Sequence, residues 1–210
     1  NRLLEENAPG RAEFEGLEMQ MAEAGVAVAA MRRDAVERLR SQITDSREGD
    51  ADSPFPWATL ALEGVLETML ERDAALDVED AYRGILARGR DRDRAARRTL
   101  EGPHRSDLIV GHGPKAMPAR RCSTGEQKAL LIGLVLAHSR LVKQQLKGLA
   151  PLILLDEIAA HLDGARRAAL FAEITRLGAQ AWMTGTDAEL FASLAPDGQF
   201  LSVENGGVSA

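Results

Sequence analysis

The chain has 210 residues, of which 45% are hydrophobic and only 4% aromatic, so we expect one large or two small domains with an aliphatic core. Its formal net charge of −6 argues against nucleic-acid binding over the whole surface, and no apolar run approaches the length of a membrane span. A single cysteine, Cys122, excludes an internal disulfide and fits a reducing cytoplasm, and four scattered histidines offer no zinc site.

The first hundred residues are predicted to be mainly helical. Apolar residues recur at alternating spacings of three and four, which predicts a narrow seam that packs against one partner helix. The seam consists of Phe14, Leu17, Met21, Ala24, Val28, Met31 and Ala35, and its candidate partner is Val65, Leu66, Met69 and Leu70. Pro9-Gly10 should end a preceding short helix, and the polar segment 45–54 is expected to be a loop.

A basic segment follows this region. Residues 55–62 are compatible with a short edge strand, and a helix is expected over about 78–100. Residues 83–121 hold eleven basic and four acidic residues, a local charge of +7 in an acidic chain. Such a segment can steer a polyanion to one place, although a solvated helix face explains the pattern equally well. The candidate DNA-binding residues are Arg90, Arg92, Arg94, Arg97 and Arg98.

After residue 102 the chain alternates between predicted strands and helices. Strands are expected at 108–110, 152–155, 181–184 and 200–203, helices at about 165–177 and 187–194, and turns at 111–114 and 205–206. The last three strands and their two helices form a βαβαβ order, which predicts parallel strands and an α/β fold. We expect a helical arm or lobe over residues 1–100 and a separate α/β domain over residues 101–210.

The segment Ser123-Thr124-Gly125-Glu126-Gln127 is predicted to begin a helix. Ser123 and Glu126 have capping-box spacing, and the helix is apolar nearly all round, which indicates burial. Its N-terminus would then present backbone N–H groups from a rigid base, and Gly125 would let an anion approach closely. The segment therefore predicts a phosphate site, although an ordinary capped helix has the same pattern.

Two acids follow the apolar strand at 152–155. In open α/β sheets ligands bind at the carboxyl ends of the strands, so Asp156 can hold Mg²⁺ while Glu157 orients or deprotonates water. The alternative is that Asp156 merely caps the next turn. Asp163 is placed to cap the following helix. Thr186, after the next strand, offers a hydroxyl for hydrogen bonding but carries no charge.

In this order the segments resemble the RecF family of DNA repair proteins, a branch of the SMC-like ABC ATPases. Four stretches carry the resemblance, namely residues 102–108, 118–128, 154–163 and 183–187. Cys122, Thr124 and Glu126 depart from the general ABC signature L-S-G-G-Q. The chain contains no G-x-x-x-x-G-K-[ST], so it is expected to be the C-terminal half of an ATPase head, with an arm domain.

The resemblance implies a cytoplasmic head-and-arm protein that forms a homodimer around ATP and Mg²⁺. In such a dimer the signature residues Ser123, Thr124, Gly125 and Glu126 would meet the ATP held by the partner subunit. Asp156 would serve Mg²⁺, Glu157 would activate water, Asp163 would couple the two sites, and Thr186 would occupy the switch position. The dimer would act on DNA at junctions of single and double strands, with RecR, to help load RecA at gaps.

A competing hypothesis is a non-enzymatic DNA-binding or scaffolding module, because the phosphate loop is absent from the chain. A phosphate loop upstream of Asn1 would decide for the ATPase, and a natural start at Asn1 would decide for the scaffold. On either hypothesis these 210 residues alone are not expected to hydrolyse ATP.

Overall fold

The computed structural model describes residues 11–49, 53–159, 162–194, 198–204 and 206–209. The helix end predicted at Pro9-Gly10 lies outside these ranges. The chain divides into two compact units, the first comprising Asn1–Arg40 and Leu60–Val110 and the second Ser41–Thr59 and Gly111–Ala210. The assignment of residues 1–100 to an arm and 101–210 to a head stays a prediction.

In the described part of the first unit three α-helices are present, α1 to α3, of which α1 contributes residues 11–40. They are α1 (Arg11–Gly49), α2 (Val65–Met69) and α3 (Ala75–Ala96). Because α1 extends to Gly49, the segment predicted to be a loop from residue 45 is helical over its first five residues. The helix predicted over 78–100 is present as α3, and neither Gly84 nor Gly89 interrupts it.

The prediction that the apolar seam forms the buried face of α1 is wrong. Four of its large residues are at least 38% exposed, namely Leu17, Met21, Val28 and Met31. The buried face consists instead of Ala22, Val26 and Ala29 around Gly25. A Cβ atom on Gly25 would lie 2.9 Å from Cε1 of Tyr82 in α3, so the two helices approach too closely for large side chains to separate them.

The partner predicted for α1 is confirmed in part. Leu66 is 1% exposed and belongs to the core of the first unit, whereas Val65 is 47% exposed. Met69 and Leu70 pack against this core. The cluster is completed by Ala22, Val26 and Ala29 of α1 and by Val78, Tyr82 and Leu86 of α3.

A three-stranded sheet has the order β1-β2-β3. Its strands are β1 (Ala58–Glu63), β2 (Asp107–His112) and β3 (Met117–Pro118). The strand predicted near residues 55–62 is therefore present as β1, at an edge of the sheet. β2 and β3 are antiparallel, and the short 3₁₀ turn Gly113–Lys115 joins them.

The second unit contains a β-α-β segment. It consists of β4 (Ile153–Leu155), α5 (Gly164–Leu177) and β5 (Ala181–Met183), with β4 and β5 parallel and Leu155 opposite Met183. Helix α4 (Thr124–Gln145) precedes it, and α5 ends at Gly178 in the left-handed conformation, as predicted. The core is lined by Ile132, Leu136, Ile153, Leu155, Leu170, Phe171 and Ile174.

Two features of this unit differ from the prediction. The strand predicted at 200–203 is β6 (Ser202–Glu204), which pairs antiparallel with β7 (Gly207–Ser209) and does not extend the parallel pair. Strands of a parallel sheet are apolar on both faces, and Ser-Val-Glu is too polar for that position. The segment predicted as a helix near 187–194 is the 3₁₀ helix Ala188–Leu194.

Helix α4 buries one face and exposes the other. Ala129 and Ile132 are at most 3% exposed, whereas Leu131 is 56% and Val135 39% exposed, so the prediction of burial nearly all round is wrong. The apolar composition of this helix therefore does not show which of its side chains are buried. None of the described helices combines the length and the apolar character that a membrane span requires.

Candidate nucleotide-binding and catalytic site

The two predicted acids lie at the carboxyl end of β4. Ile153 and Leu155 point into the core and Leu154 is 71% exposed, which is the alternation of a strand with one buried face. Asp156 and Glu157 follow immediately and are exposed. Glu157 has a φ of 50°, in the left-handed region that residues other than glycine rarely adopt.

Thr184 links these two acids to the neighbouring strand. Its Oγ1 donates a hydrogen bond to Oδ1 of Asp156 at 2.5 Å and accepts one from the backbone N–H of Glu157 at 3.0 Å. Its own backbone N–H donates to the carbonyl of Leu155 at 3.0 Å, which extends the β4–β5 pairing by one step. Thr184 is not among the site residues predicted from the sequence. The sequence feature that could have identified it is its position directly after β5, because the carboxyl ends of adjacent parallel strands lie at the same edge of the sheet.

Thr186, the predicted switch residue, lies two residues further along and is exposed. It forms no hydrogen bond to any part of the chain that the structure describes. The next residue, Asp187, accepts a hydrogen bond from the backbone N–H of Glu189 at 2.9 Å, at the start of the 3₁₀ helix. The catalytic role of Thr186 stays a prediction.

Asp163 is the N-cap of α5, as the sequence predicted. Its Oδ1 accepts a hydrogen bond from the backbone N–H of Arg166 at 2.8 Å, and its Oδ2 lies 3.5 Å from that residue's guanidinium. Nε of Arg166 also donates to the carbonyl of Pro54 at 3.3 Å, so the cap is tied to a second segment of the same unit. The exposed carboxylate thus has a structural role, and its coupling role stays a prediction.

The predicted signature forms the N-terminus of α4 with a complete capping box. The backbone N–H of Ser123 donates to Oε2 of Glu126 at 3.0 Å, and that of Glu126 donates to Oγ of Ser123 at 3.4 Å. Thr124 and Gly125 are exposed, and a Cβ atom on Gly125 would meet nothing within 4 Å. The capping box uses the backbone N–H of Glu126, whereas those of Thr124 and Gly125, on exposed residues, have no partner within the described part of the chain.

Lys115, in the turn between β2 and β3, forms an ion pair with Glu126. This contact lowers the pKa of the Glu126 carboxyl from 4.5 to about 2, helped by the backbone hydrogen bond from Ser123, and the same ion pair raises the pKa of Lys115. A full negative charge beside the helix N-terminus would repel a phosphate, and Lys115 compensates it. Lys115 is not among the predicted site residues, because no local sequence pattern connects a turn to a helix residue eleven positions further on.

The site fits Mg²⁺ only as part of a nucleotide complex. No group of three or more His, Cys, Asp or Glu residues that could hold a metal occurs in the described ranges. Magnesium in phosphate-transfer sites commonly takes one or two protein carboxylates and completes its shell with water and phosphate oxygens. Asp156 can supply one such carboxylate, since its Oδ1 binds Thr184 and its Oδ2 has no protein partner within the described part of the chain.

The five candidate DNA-binding arginines do not form one uniform surface. Arg90 binds Glu18 through two hydrogen bonds of 2.6 Å each, and its guanidinium lies 5.2 Å from the ring centre of Phe14. Arg94 pairs with Asp91 at 3.0 Å. The Arg90 side chain therefore pairs and packs within the first unit, and the Arg94 side chain neutralises the charge of Asp91.

The other three arginines are exposed, and none forms an ion pair with a described residue. They are Arg92, Arg97 and Arg98, at the C-terminal end of α3 and just beyond it. Arg97 ends the helix in the left-handed conformation, with a φ of 53°. Cations at this position stabilise the helix dipole, so helix stability is a second explanation for them.

No protein-family model matches the chain. Curated relatives match it closely: the DNA replication and repair protein RecF of Mesorhizobium japonicum is 57% identical over 208 residues, 99% of this chain and 54% of the relative. RecF of Brucella abortus is 55% identical over 206 residues, 98% of this chain and 53% of the relative. The chain therefore spans about half the length of the curated relatives that it matches.

Solved structures show the same fold. A structure of the recombination mediator protein RecF-ATP in the RecFOR pathway superimposes with a TM-score of 0.75 at 19% identity, over 99% of this chain and 53% of that one. A second, RecF-ATPrS, gives a TM-score of 0.68 at 20% identity over 89% of this chain. The predicted α/β fold is thereby confirmed. Over the length that it covers, this chain belongs to the RecF family.

Proposed function

We propose that this chain is part of an ATP-dependent DNA-binding protein of replication and repair. The observation that carries the proposal is the arrangement at the end of β4, where Asp156 and Glu157 are held by Thr184 from the neighbouring parallel strand. This is the edge of an α/β sheet where ligands bind. The RecF name of the relatives supports the DNA role, and the similarity to RecF-ATP supports the nucleotide.

In this proposal Asp156 holds Mg²⁺ and Glu157 orients the attacking water as a general base. Bound Mg²⁺ would supply charge stabilisation at the phosphate oxygens. Glu157 is exposed, which leaves its carboxylate accessible to water. The hydrogen bond from its backbone N–H to Thr184 fixes where the side chain leaves the strand.

The capped N-terminus of α4 is proposed to bind the γ-phosphate of ATP held by a second copy of the protein. Its exposed first turn, with Thr124 and Gly125, offers backbone N–H donors and the positive end of the helix dipole. A homodimer would then close around two ATP molecules, and Asp163 would couple the two sites. The dimer is proposed to act on DNA at junctions of single and double strands, together with a RecR-like mediator, and to help load RecA at gaps.

The test uses the full-length protein and the substitution Glu157→Gln. The amide keeps the shape of the side chain but cannot accept a proton, so ATP binding should persist and hydrolysis should slow by about 100-fold or more. The ATP-bound dimer should accumulate, as measured by sedimentation with ATP and Mg²⁺. Glu157→Gln protein that turns over ATP at the normal rate would remove Glu157 from the catalytic role.

The second candidate function is a non-enzymatic DNA-binding or scaffolding module. The absence of a phosphate loop from these 210 residues favours it for the chain taken by itself. Without that loop the β- and γ-phosphates lose their backbone N–H donors and a lysine, so the 210 residues should bind ATP weakly or not at all. Micromolar binding by calorimetry would exclude this alternative.

A further inference from the structure

The hydroxyl of Thr184 is the one side-chain group that contacts both residues of the acidic pair in the described part of the site. It lies at the end of β5, and the pairing of Leu155 with Met183 places Asp156 and Thr184 next to each other across the two strands. The 2.5 Å bond to Asp156 uses its only proton, and the 3.0 Å bond from Glu157 uses one lone pair. Donor and acceptor are therefore both engaged by the acidic pair.

These two bonds act on different degrees of freedom. The bond to Asp156 fixes the carboxylate of an exposed side chain, which would otherwise sample several rotamers. It also occupies Oδ1 and leaves Oδ2 for another ligand. The bond from Glu157 holds a backbone with a φ of 50°, a conformation that persists only when its surroundings stabilise it.

We propose that Thr184 is a positioning residue that orients Asp156 toward Mg²⁺ and holds the strained turn at Glu157. The inference rests on the proposed ATPase function and assigns to Thr184 a role in it. One hydroxyl group thus fixes the position of the proposed metal ligand, Asp156, relative to that of the proposed general base, Glu157. Outer-shell hydrogen bonds to ligating carboxylates commonly change metal affinity by about 10- to 100-fold.

The experiment compares Thr184→Val with Thr184→Ser in the full-length protein. Valine keeps the shape but removes the hydroxyl, whereas serine keeps the hydroxyl and removes a methyl group. Thr175→Val is the matched control, because Thr175 is an exposed threonine on α5. Two quantities are measured: the Mg²⁺ concentration that half-saturates nucleotide binding, and the hydrogen-exchange rate of the Glu157 amide without nucleotide.

Thr184→Val should raise the half-saturating Mg²⁺ concentration by about 10-fold or more and accelerate exchange of the Glu157 amide. Thr184→Ser should stay within about three-fold of the wild type in both measurements, and Thr175→Val should be unchanged. Hydrolysis by Thr184→Val should fall mainly in kcat, with a smaller change in KM for ATP.

Wild-type Mg²⁺ dependence in Thr184→Val would overturn the inference, as would equal damage from serine and valine, which would assign the effect to packing of the methyl group. Failure of the proposed function is distinguishable from both results. In that case the wild type itself would show no Mg²⁺-dependent nucleotide binding, and the metal-orienting role of Thr184 would be rejected with it. Accelerated exchange of the Glu157 amide in Thr184→Val would then still show that the Thr184 hydroxyl holds this backbone N–H.

Discussion

The ion pair between Arg90 and Glu18 gives the sharpest test of what the basic segment does. Glu18 is 8% exposed and Arg90 25%, and two bonds of 2.6 Å join them. The pairing raises the pKa of Arg90, so its charge is constant at any physiological pH. Arg90→Ala would leave the Glu18 carboxylate buried and unpaired within the first unit.

Removing one partner of a buried pair costs about 3–5 kcal/mol, and the partial exposure of Arg90 lowers the expected loss of unfolding free energy to about 2–3 kcal/mol. For a chain of this size that loss lowers the melting temperature by about 5–10 °C. Calorimetric melting of Arg90→Ala measures it, with the exposed neighbour Arg92→Ala as the matched control, expected within about 0.5 kcal/mol of the wild type.

The double substitution Glu18→Gln with Arg90→Ala separates the ion pair from simple packing. Most of the loss should be recovered, because the cost comes mainly from an uncompensated buried charge. An Arg90→Ala protein as stable as Arg92→Ala would refute the structural role of Arg90 and return it to the set of candidate DNA contacts. A double variant no more stable than Arg90→Ala would assign the loss to the packing of Arg90 over Phe14.

Two further predictions concern charges at the surface. Replacing Arg97 and Arg98 by Ala should weaken DNA binding for all sequences alike and lower the slope of log affinity against log salt concentration by about two, and an unchanged slope would assign them to the helix end. Lys115→Met should raise the pKa of the Glu126 carboxyl from about 2 toward 4.5, measured by carboxyl NMR titration. Since the pKa is lowered in the folded protein, the ion pair contributes at pH values above 4.5 and is lost as pH falls through about 2. A pKa still near 2 in Lys115→Met would show that the capping box alone holds the carboxylate ionised.

The helical half of the chain shows where sequence patterns lose information. The heptad spacing of Leu17, Met21, Val28 and Met31 correctly predicted a helix, because spacing reports local geometry. It did not identify the buried face, because the close approach of Tyr82 to Gly25 selects small side chains there. Small residues contribute little to a hydrophobic pattern, so a tightly packed helix face is weakly marked in the sequence.

The residues of the site likewise fall into those marked by a local sequence pattern and those that reach the site only through the tertiary fold. The capping box of Ser123 with Glu126 and the acids after β4 were predictable, since each depends on residues within a few positions of one another. Lys115 and Thr184 were not selected, since each reaches its partner across a turn or a neighbouring strand. Both contact residues that the sequence did identify. The groups that adjust a charge or fix a carboxylate therefore come from the tertiary fold, while the groups proposed to meet ATP and Mg²⁺ come from contiguous motifs.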